Sequence, residues 1–199
     1  LDATGSYGAV IVSAANLAVE GVGALPPGTS HLILQNEIPE AANFAAARAA
    51  RAAGAAVILN AAPARLLAPE LLALTDLLVV NRLEAADLTG LSEDAHEAAA
   101  RALLECGPRH VVVTLGARGL HARSRDAATD LPAPRVTALS SHGAGDAFLG
   151  ALAARLDAGE PLPAALHFAQ GAAALQVSTP TEDRAGIGPD DVRALLGSA

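Results

Sequence analysis

Residues 140–156, "SSHGAGDAFLGALAARL", set two glycines and one aspartate directly ahead of an alanine-rich apolar helix. Glycine is a poor helix former, and a carboxylate facing an apolar run is costly unless something uses it. If the helix begins near Gly143, the N–H groups of Gly143, Ala144, Gly145 and Asp146 are first-turn donors without an intrahelical partner. With no bulky side chains in the way, such amides can close on a phosphate, and the helix dipole adds favourable potential. Asp146 shares that turn, where the dipole favours its ionised form and leaves a feeble base. Phosphoryl transfer asks little more of a base, because its transition state is loose. The competing reading is a structural helix whose dipole an acidic residue complements, and the stretch alone leaves both open.

"NRLE" (81–84) divides in the same way. Asn at an N-cap with Glu three residues on is a variant of the capping box and needs no ligand. The functional alternative sets Glu84 near a hydrated magnesium ion and Asn81 near a phosphate, since Mg²⁺ keeps waters and takes few protein ligands. "TLGARG" (114–119) is either a plain turn or a place where two glycines let backbone approach a nucleotide. His142 precedes the helix with no carboxylate beside it and reads as a loop residue, and His167 as a core or surface histidine. The six histidines show no metal-ligand or Ser–His–Asp spacing. The single cysteine, Cys106, cannot form an internal disulfide and is expected to be a buried apolar thiol.

The elements that position these residues alternate. "GAVIVSA" (8–14), "HLILQ" (31–35), "AAVILN" (55–60), "LLVVN" (77–81) and "HVVVTLG" (110–116) read as strands. All but the first are nearly continuous apolar runs, as parallel strands covered on both faces require. Helices are predicted at 39–54, 69–75 and 93–107, the first and third closed by Gly54 and Gly107. Strand–helix–strand repetition implies right-handed crossovers and a doubly wound, mostly parallel α/β sheet. From "GLHARSRDAATDLPAPRVTAL" onward, two short strand-like pieces are expected to flank a polar, Pro-containing connection. Helices at 143–157, 161–177 and 188–198 follow, with "STPTEDRAGIGP" a loop between the last two. In such sheets ligands bind beyond the carboxyl ends of the strands. Gln35, Asn36, Glu37, Asn60, Asn81, Glu84, Thr114, Gly116, Gly119, Gly143, Gly145 and Asp146 all stand where an apolar run stops.

Composition narrows the class. The chain has 199 residues, enough for one sizeable α/β domain, and 52% of them are hydrophobic with only 2% aromatic. The core must therefore come from Ala, Leu and Val. No apolar run approaches the ~18–20 residues of a membrane span, and no secretory signal pattern opens the chain. Acidic residues outnumber basic ones 21 to 13, a formal net charge of −8, which argues against a nucleic-acid surface. A reduced, cytoplasmic location is the expectation.

Taken together, the motifs resemble the ribokinase-like, or PfkB, family of carbohydrate and nucleoside kinases. "GAGDAF" (143–148) is similar to its C-terminal signature, "NRLEAADLTG" (81–90) to its Asn-x-x-Glu motif, and "VVVTLGARGL" (111–120) to its nucleotide-binding strand and turn. "HLILQNEIP" (31–39) and the segment 57–80 resemble the ribokinases within that family. The resemblance implies ATP-dependent transfer of the γ-phosphoryl group to a sugar hydroxyl, with ribose the first candidate and fructokinase or nucleoside kinase activity as alternatives. It implies Asp146 as the base and Gly143, Ala144 and Gly145 as the anion hole. Asn81 would serve the phosphates and Glu84 Mg²⁺ through water, while Thr114, Gly116, Ala117 and Gly119 would line the ATP site. Gln170 falls where the family meets the adenine, and Glu37 where ribokinases bind their sugar.

Three departures qualify the expectation. Ser140 and Ser141 stand where the signature has Asp-Thr, and "TPTED" departs from the usual monovalent-cation pattern, which puts potassium activation in question. Residues 14–199 read as the nucleotide-binding and catalytic domain, and residues 1–13 as one strand of a lid whose remainder, with the N-terminal sugar-recognition part, is lacking. A lid excludes water, so sugar phosphorylation by this chain alone is expected to be inefficient. The competing class is a non-catalytic nucleotide-binding remnant. The expected partners are ATP and a small sugar, with no nucleic acid and no membrane, and family habit allows a homodimer through residues 1–13.

Overall fold

The computed structural model describes residues 14–21 and 23–197. The expected lid strand at 1–13 and most of the strand expected at 8–14 lie outside them, and Ala14 opens a short 3-10 turn, Ala14–Ala18. The chain divides into two compact units. Their described residues are 14–116 (without 22) and 120–131 in one, and 117–119 and 132–197 in the other.

The first unit is a six-stranded sheet in sequential order: β1 (His31–Gln35), β2 (Ala56–Asn60), β3 (Leu77–Asn81), β4 (His110–Thr114), β5 (Leu120–Arg123) and β6 (Ala128–Leu131). The first four strands are parallel, and the last three form antiparallel pairs. The crossovers carry α1 (Glu40–Ala52), α2 (Pro69–Leu74), α3 (Arg82–Thr89) and α4 (His96–Glu105). Continuous apolar runs become parallel strands because both faces are covered: Val57, Leu59, Leu78, Val80, Val111 and Val113 pack into the main core, and the alternate Ile58, Val79 and Val112 are buried as well. Against the main core α1 lays a stripe of Ala46, Ala47 and Ala50 with no exposed surface, so the helix backbone comes close to the strands. The two pieces beyond β4 make a hairpin closed by the polar turn 124–127, with Ser124 N–H donating to Ala127 O at 2.8 Å. The prolines expected inside that connection come after it, because Pro cannot donate to a ladder.

Asp76 fixes where the strands begin. Its N–H donates to Val57 O at 2.9 Å, its carbonyl accepts from His110 N–H at 3.0 Å, and its Oδ2 accepts from Val57 N–H at 2.9 Å. Arg51 and Arg109 reach its Oδ1 at 3.0 and 3.3 Å. One residue thus ties β2, β3 and β4 at their amino ends. Beside it, burial and Arg109 hold the His110 imidazole below its ordinary range, with Asp76 pulling the other way.

The second unit is helical: α5 (Ala144–Asp157), α6 (Leu162–Ser178) and α7 (Pro189–Gly197), with a 3-10 segment at Thr181–Gly186 inside the expected loop. Helices α5 and α6 pack against each other; Phe148, Leu149, Leu152, Ala165, Leu166 and Ala169 are among their buried apolar residues, and Arg155 lies over the Phe168 ring at 4.8 Å. A Cβ on Gly171 of α6 would meet Val192 Cγ1 at 2.8 Å, so α7 seats on a residue without a side chain. Cys106 corrects an expectation. It is the C-cap of α4, where the chain leaves the core, and it is exposed, its thiol donating to Ala102 O at 3.3 Å. His167 is a surface residue of α6. Among the described residues no helix is long and apolar enough to cross a membrane.

Two substitutions test this account by denaturant unfolding. Asp76→Ala strands the Val57 N–H and is expected to cost about 1–3 kcal/mol, whereas a loss near zero removes Asp76 from its organising role. Gly171→Ala gains up to about 1 kcal/mol in helix propensity but forces the stiff Val192 to move, at about 1–3 kcal/mol. The net expectation is destabilisation, and a stabilised variant contradicts the close packing of α6 on α7.

Candidate functional site

In the sheet unit, register places polar residues at the carboxyl ends. Gln35 pairs with Asn60, and Asn81 pairs with Thr114, two residues beyond the level of Asn60 and Val79. Asn81 is the last residue of β3 and the N-cap of α3, and the capping box is complete: its side chain accepts from Glu84 N–H at 2.9 Å, and Glu84 Oε2 accepts from Asn81 N–H at 2.7 Å. The box involves only one carboxylate oxygen of Glu84. Desolvation pushes the Glu84 carboxyl above its ordinary range, the hydrogen bond from Asn81 N–H opposes that, and the charge of Asp87 adds to it. A half-buried carboxyl in this state has much to gain from a cation beside it. Thr114 closes β4, and Gly116 follows with a φ of 61°.

Glu37 is exposed on the turn after β1, and Asn36 and Arg65 hold that turn. Asn36 is 4% exposed and tied to the scaffold: its N–H donates to Ala62 O at 2.9 Å and its Nδ2 to Pro63 O at 3.0 Å. Arg65 Nη1 donates to the carbonyls of Asn36 and Ile38 at 3.2 and 2.8 Å, on either side of Glu37. Arg65 lies too far along the chain for any local pattern to announce it.

In the helical unit, Gly143 is the N-cap of α5 with φ 77° and ψ 4°, a left-handed conformation that favours glycine. Ala144, Gly145 and Asp146 form the first turn, and no side chain caps it. Ala144 N–H makes a long 3.4 Å turn bond to Ser141 O. A Cβ on Gly145 would meet nothing within 4 Å, and Asp146 is exposed on the same turn. His142 is an exposed turn residue, as expected, and its N–H donates to Ser140 Oγ at 3.2 Å. Ala117 lies in the 3-10 turn Gly116–Arg118, and Gly119 is buried with φ 100°. Gln170 is buried in α6 at 7% exposure, and its Nε2 has no hydrogen-bond partner among the described residues. The candidates therefore gather in two sets: Glu37, Asn81, Glu84, Thr114 and Gly116 in the sheet unit, and Ala117, Gly119, the Gly143–Asp146 turn and Gln170 in the helical unit.

The chain superposes on the ribokinase of Arabidopsis thaliana complexed with ribose and ATP, with a TM-score of 0.77 and 29% identity over 83% of this chain and 55% of that one. It also superposes on the ribokinase of Cryptococcus neoformans var. grubii serotype A in complex with ADP, with a TM-score of 0.79 and 26% identity over 96% of this chain and 68% of that one. The fold is thus ribokinase-like, a mostly parallel sheet flanked by helices. In sequence, the pfkB family of carbohydrate kinases matches residues 9–183, and the ribokinase of Staphylococcus aureus (strain COL) is 34% identical over 150 residues, covering 73% of this chain and 49% of that protein. The chain belongs to the pfkB carbohydrate kinase family. It spans about half the length of the curated relatives it matches.

The capping box separates structure from chemistry by substitution. Asn81→Ala is expected to cost about 1 kcal/mol of stability, while Glu84→Gln retains the box. As pH rises from the ordinary carboxyl value of 4.5, the unfolded chain releases the Glu84 proton before the folded chain does, so stability falls across that window. Glu84→Gln should flatten this fall in unfolding measurements between about pH 4 and 7, and an unchanged slope rejects the buried-carboxyl account.

Proposed function

We propose that this chain is the nucleotide-binding and catalytic portion of a sugar kinase that uses ATP, with ribose the first substrate to test. The observation that carries the reading is the start of α5: a glycine-built turn with no side-chain cap and an exposed carboxylate, Asp146. Family membership and the ribose and ATP bound to the Arabidopsis relative support it.

In the proposed reaction the amides of Gly143, Ala144 and Gly145 hold the γ-phosphoryl group. The sugar hydroxyl oxygen attacks phosphorus in line, Asp146 accepts the hydroxyl proton, the bond from phosphorus to the β-phosphate oxygen breaks, and ADP leaves. A loose transition state asks only modest help from that base. Glu37, held by Arg65 through its neighbours, is assigned to the sugar. Asn81, Thr114, Gly116, Ala117, Gly119 and Gln170 are assigned to the nucleotide, and the unpartnered Nε2 of Gln170 suits a ring-nitrogen or carbonyl acceptor. Among the described residues no three His, Cys, Asp or Glu side chains form a metal cage. The raised Glu84 carboxyl fits a hydrated Mg²⁺ that takes few protein ligands. Bound with ATP, that ion would neutralise charge on the β- and γ-phosphates.

The competing reading is a non-catalytic nucleotide-binding remnant, which would bind ATP without transferring its phosphoryl group. Titration of ATP·Mg²⁺ by calorimetry, followed by ADP release with and without ribose, separates the two. Asp146→Asn should leave ATP affinity within about twofold while turnover drops by two or more orders of magnitude, on the scale of lost base catalysis. Unchanged turnover in that variant refutes the assigned base, and binding without transfer in the wild type selects the remnant.

A further inference from the structure

The turn that precedes α5 contains a peptide whose orientation is a choice. Ser141 to Ala144 form a four-residue turn closed by the 3.4 Å bond from Ala144 N–H to Ser141 O, with Gly143 third. Its φ of 77° and ψ of 4° match the third residue of a type II turn, about +80° and 0°, rather than the −90° and 0° of type I. The two types differ chiefly by a half-rotation of the central peptide, here His142–Gly143. That bond is trans, so its carbonyl and its N–H point to opposite sides. Whatever holds the His142 carbonyl therefore aims the Gly143 N–H.

Two side chains hold it. Arg184 Nη1 donates to His142 O at 3.3 Å while its Nε donates to Thr179 O at 3.0 Å, tethering the guanidinium to the end of α6. Gln176 Nε2, one turn back along α6, donates to the same carbonyl at 3.5 Å. Gln176 also fills the space beside Gly143, its Nε2 lying 2.7 Å from where a Cβ would stand. Leu139 N–H and Ser140 N–H both donate to Val177 O, at 2.7 and 3.2 Å, so the approach to the turn is anchored to the same stretch of α6.

We infer that Gln176 and Arg184 are positioning residues that lock the His142–Gly143 peptide in the orientation presenting the Gly143 N–H to a phosphoryl group. They act through the His142 carbonyl and need not touch the substrate. The inference rests on the assignment of the Gly143–Asp146 turn as a phosphate site. It explains why a glycine stands at the N-cap in place of the usual Ser, Asp or Asn: the turn uses positive φ to aim an amide instead of a side chain to cap one.

The test is an amide NMR titration of the whole chain with ADP, Mg²⁺ and tetrafluoroaluminate, a mimic of a phosphoryl group in transfer. In the wild type the Gly143 and Gly145 amides should both shift. In Gln176→Leu and Arg184→Met the Gly143 response should be lost while that of Gly145 persists, and affinity for the mimic should fall by on the order of tenfold, as for one weakened hydrogen bond. Arg184→Lys should recover part of the response. Gln176→Leu changes no charge, so a loss confined to Arg184→Met indicates positive potential alone and overturns the orienting role. Wild-type responses in both variants overturn it too, with the phosphate site intact. No Gly143 or Gly145 shift in the wild type instead overturns the phosphate site. Thermal unfolding of each variant checks the fold, and Arg184→Gln replaces Arg184→Met if that variant does not fold.

Discussion

Much in the sheet unit depends on the hydrogen bonds that Asp76 makes at the start of β3. A parallel sheet has no hairpins to set its register, so the strands need some other reference point. Asp76 supplies it by joining Val57 of β2 and His110, the first residue of β4, through its backbone, and Val57 again through its carboxylate. Four parallel strands of five residues each then end in Gln35, Asn60, Asn81 and Thr114 along one edge. A group at one end of the sheet thus governs the geometry of candidate ligands at the other, about 15 Å away at the rise of a parallel strand. Stability and site placement are therefore coupled in this layer, although the residues that fix the register are not those that would meet a ligand.

Helix starts solve the problem of unpaired amides in two ways here. Helix α3 answers with side chains, Asn81 and Glu84 satisfying each other's N–H groups. Helix α5 leaves its first turn without a side-chain cap and takes its geometry from the preceding turn, which α6 and Arg184 hold from behind. The contrast gives the α5 turn its functional reading, because an uncapped helix start carries a cost that a bound anion can offset. Glu84 belongs to both schemes. Its box is structural, yet the desolvated carboxyl is poised for a cation.

What could be read from the sequence was local. The runs "HLILQ" and "LLVVN" became strands with the expected ends, the capping box was visible in "NRLE", and "GAGDAF" marked a helix start. Apolar continuity and cap chemistry are encoded within a few residues, so a pattern suffices. The rest is carried by contacts between distant segments. Nothing beside Asp76 reveals its partners at Val57 and His110, Arg65 meets the Glu37 turn from 28 residues away by its number, and Arg184 reaches back to His142. Cys106 misled because the apolar character of a thiol said nothing of where α4 would end. The hairpin β5–β6 was blurred by prolines whose place relative to the turn depends on ladder donors rather than on composition.

The alanine stripe of α1 has a consequence for how this protein tolerates variation. In a leucine-rich interior the common injury is truncation, which leaves a void that neighbours fill only in part. At Ala46, Ala47 and Ala50 there is almost nothing to truncate, and every other substitution adds atoms to a seam that is already shut. Little beyond serine and glycine fits at these sites, which holds the spacing between helix and sheet as a fixed dimension. Divergent descendants of this chain should vary in the Leu and Val of their strands long before they vary there.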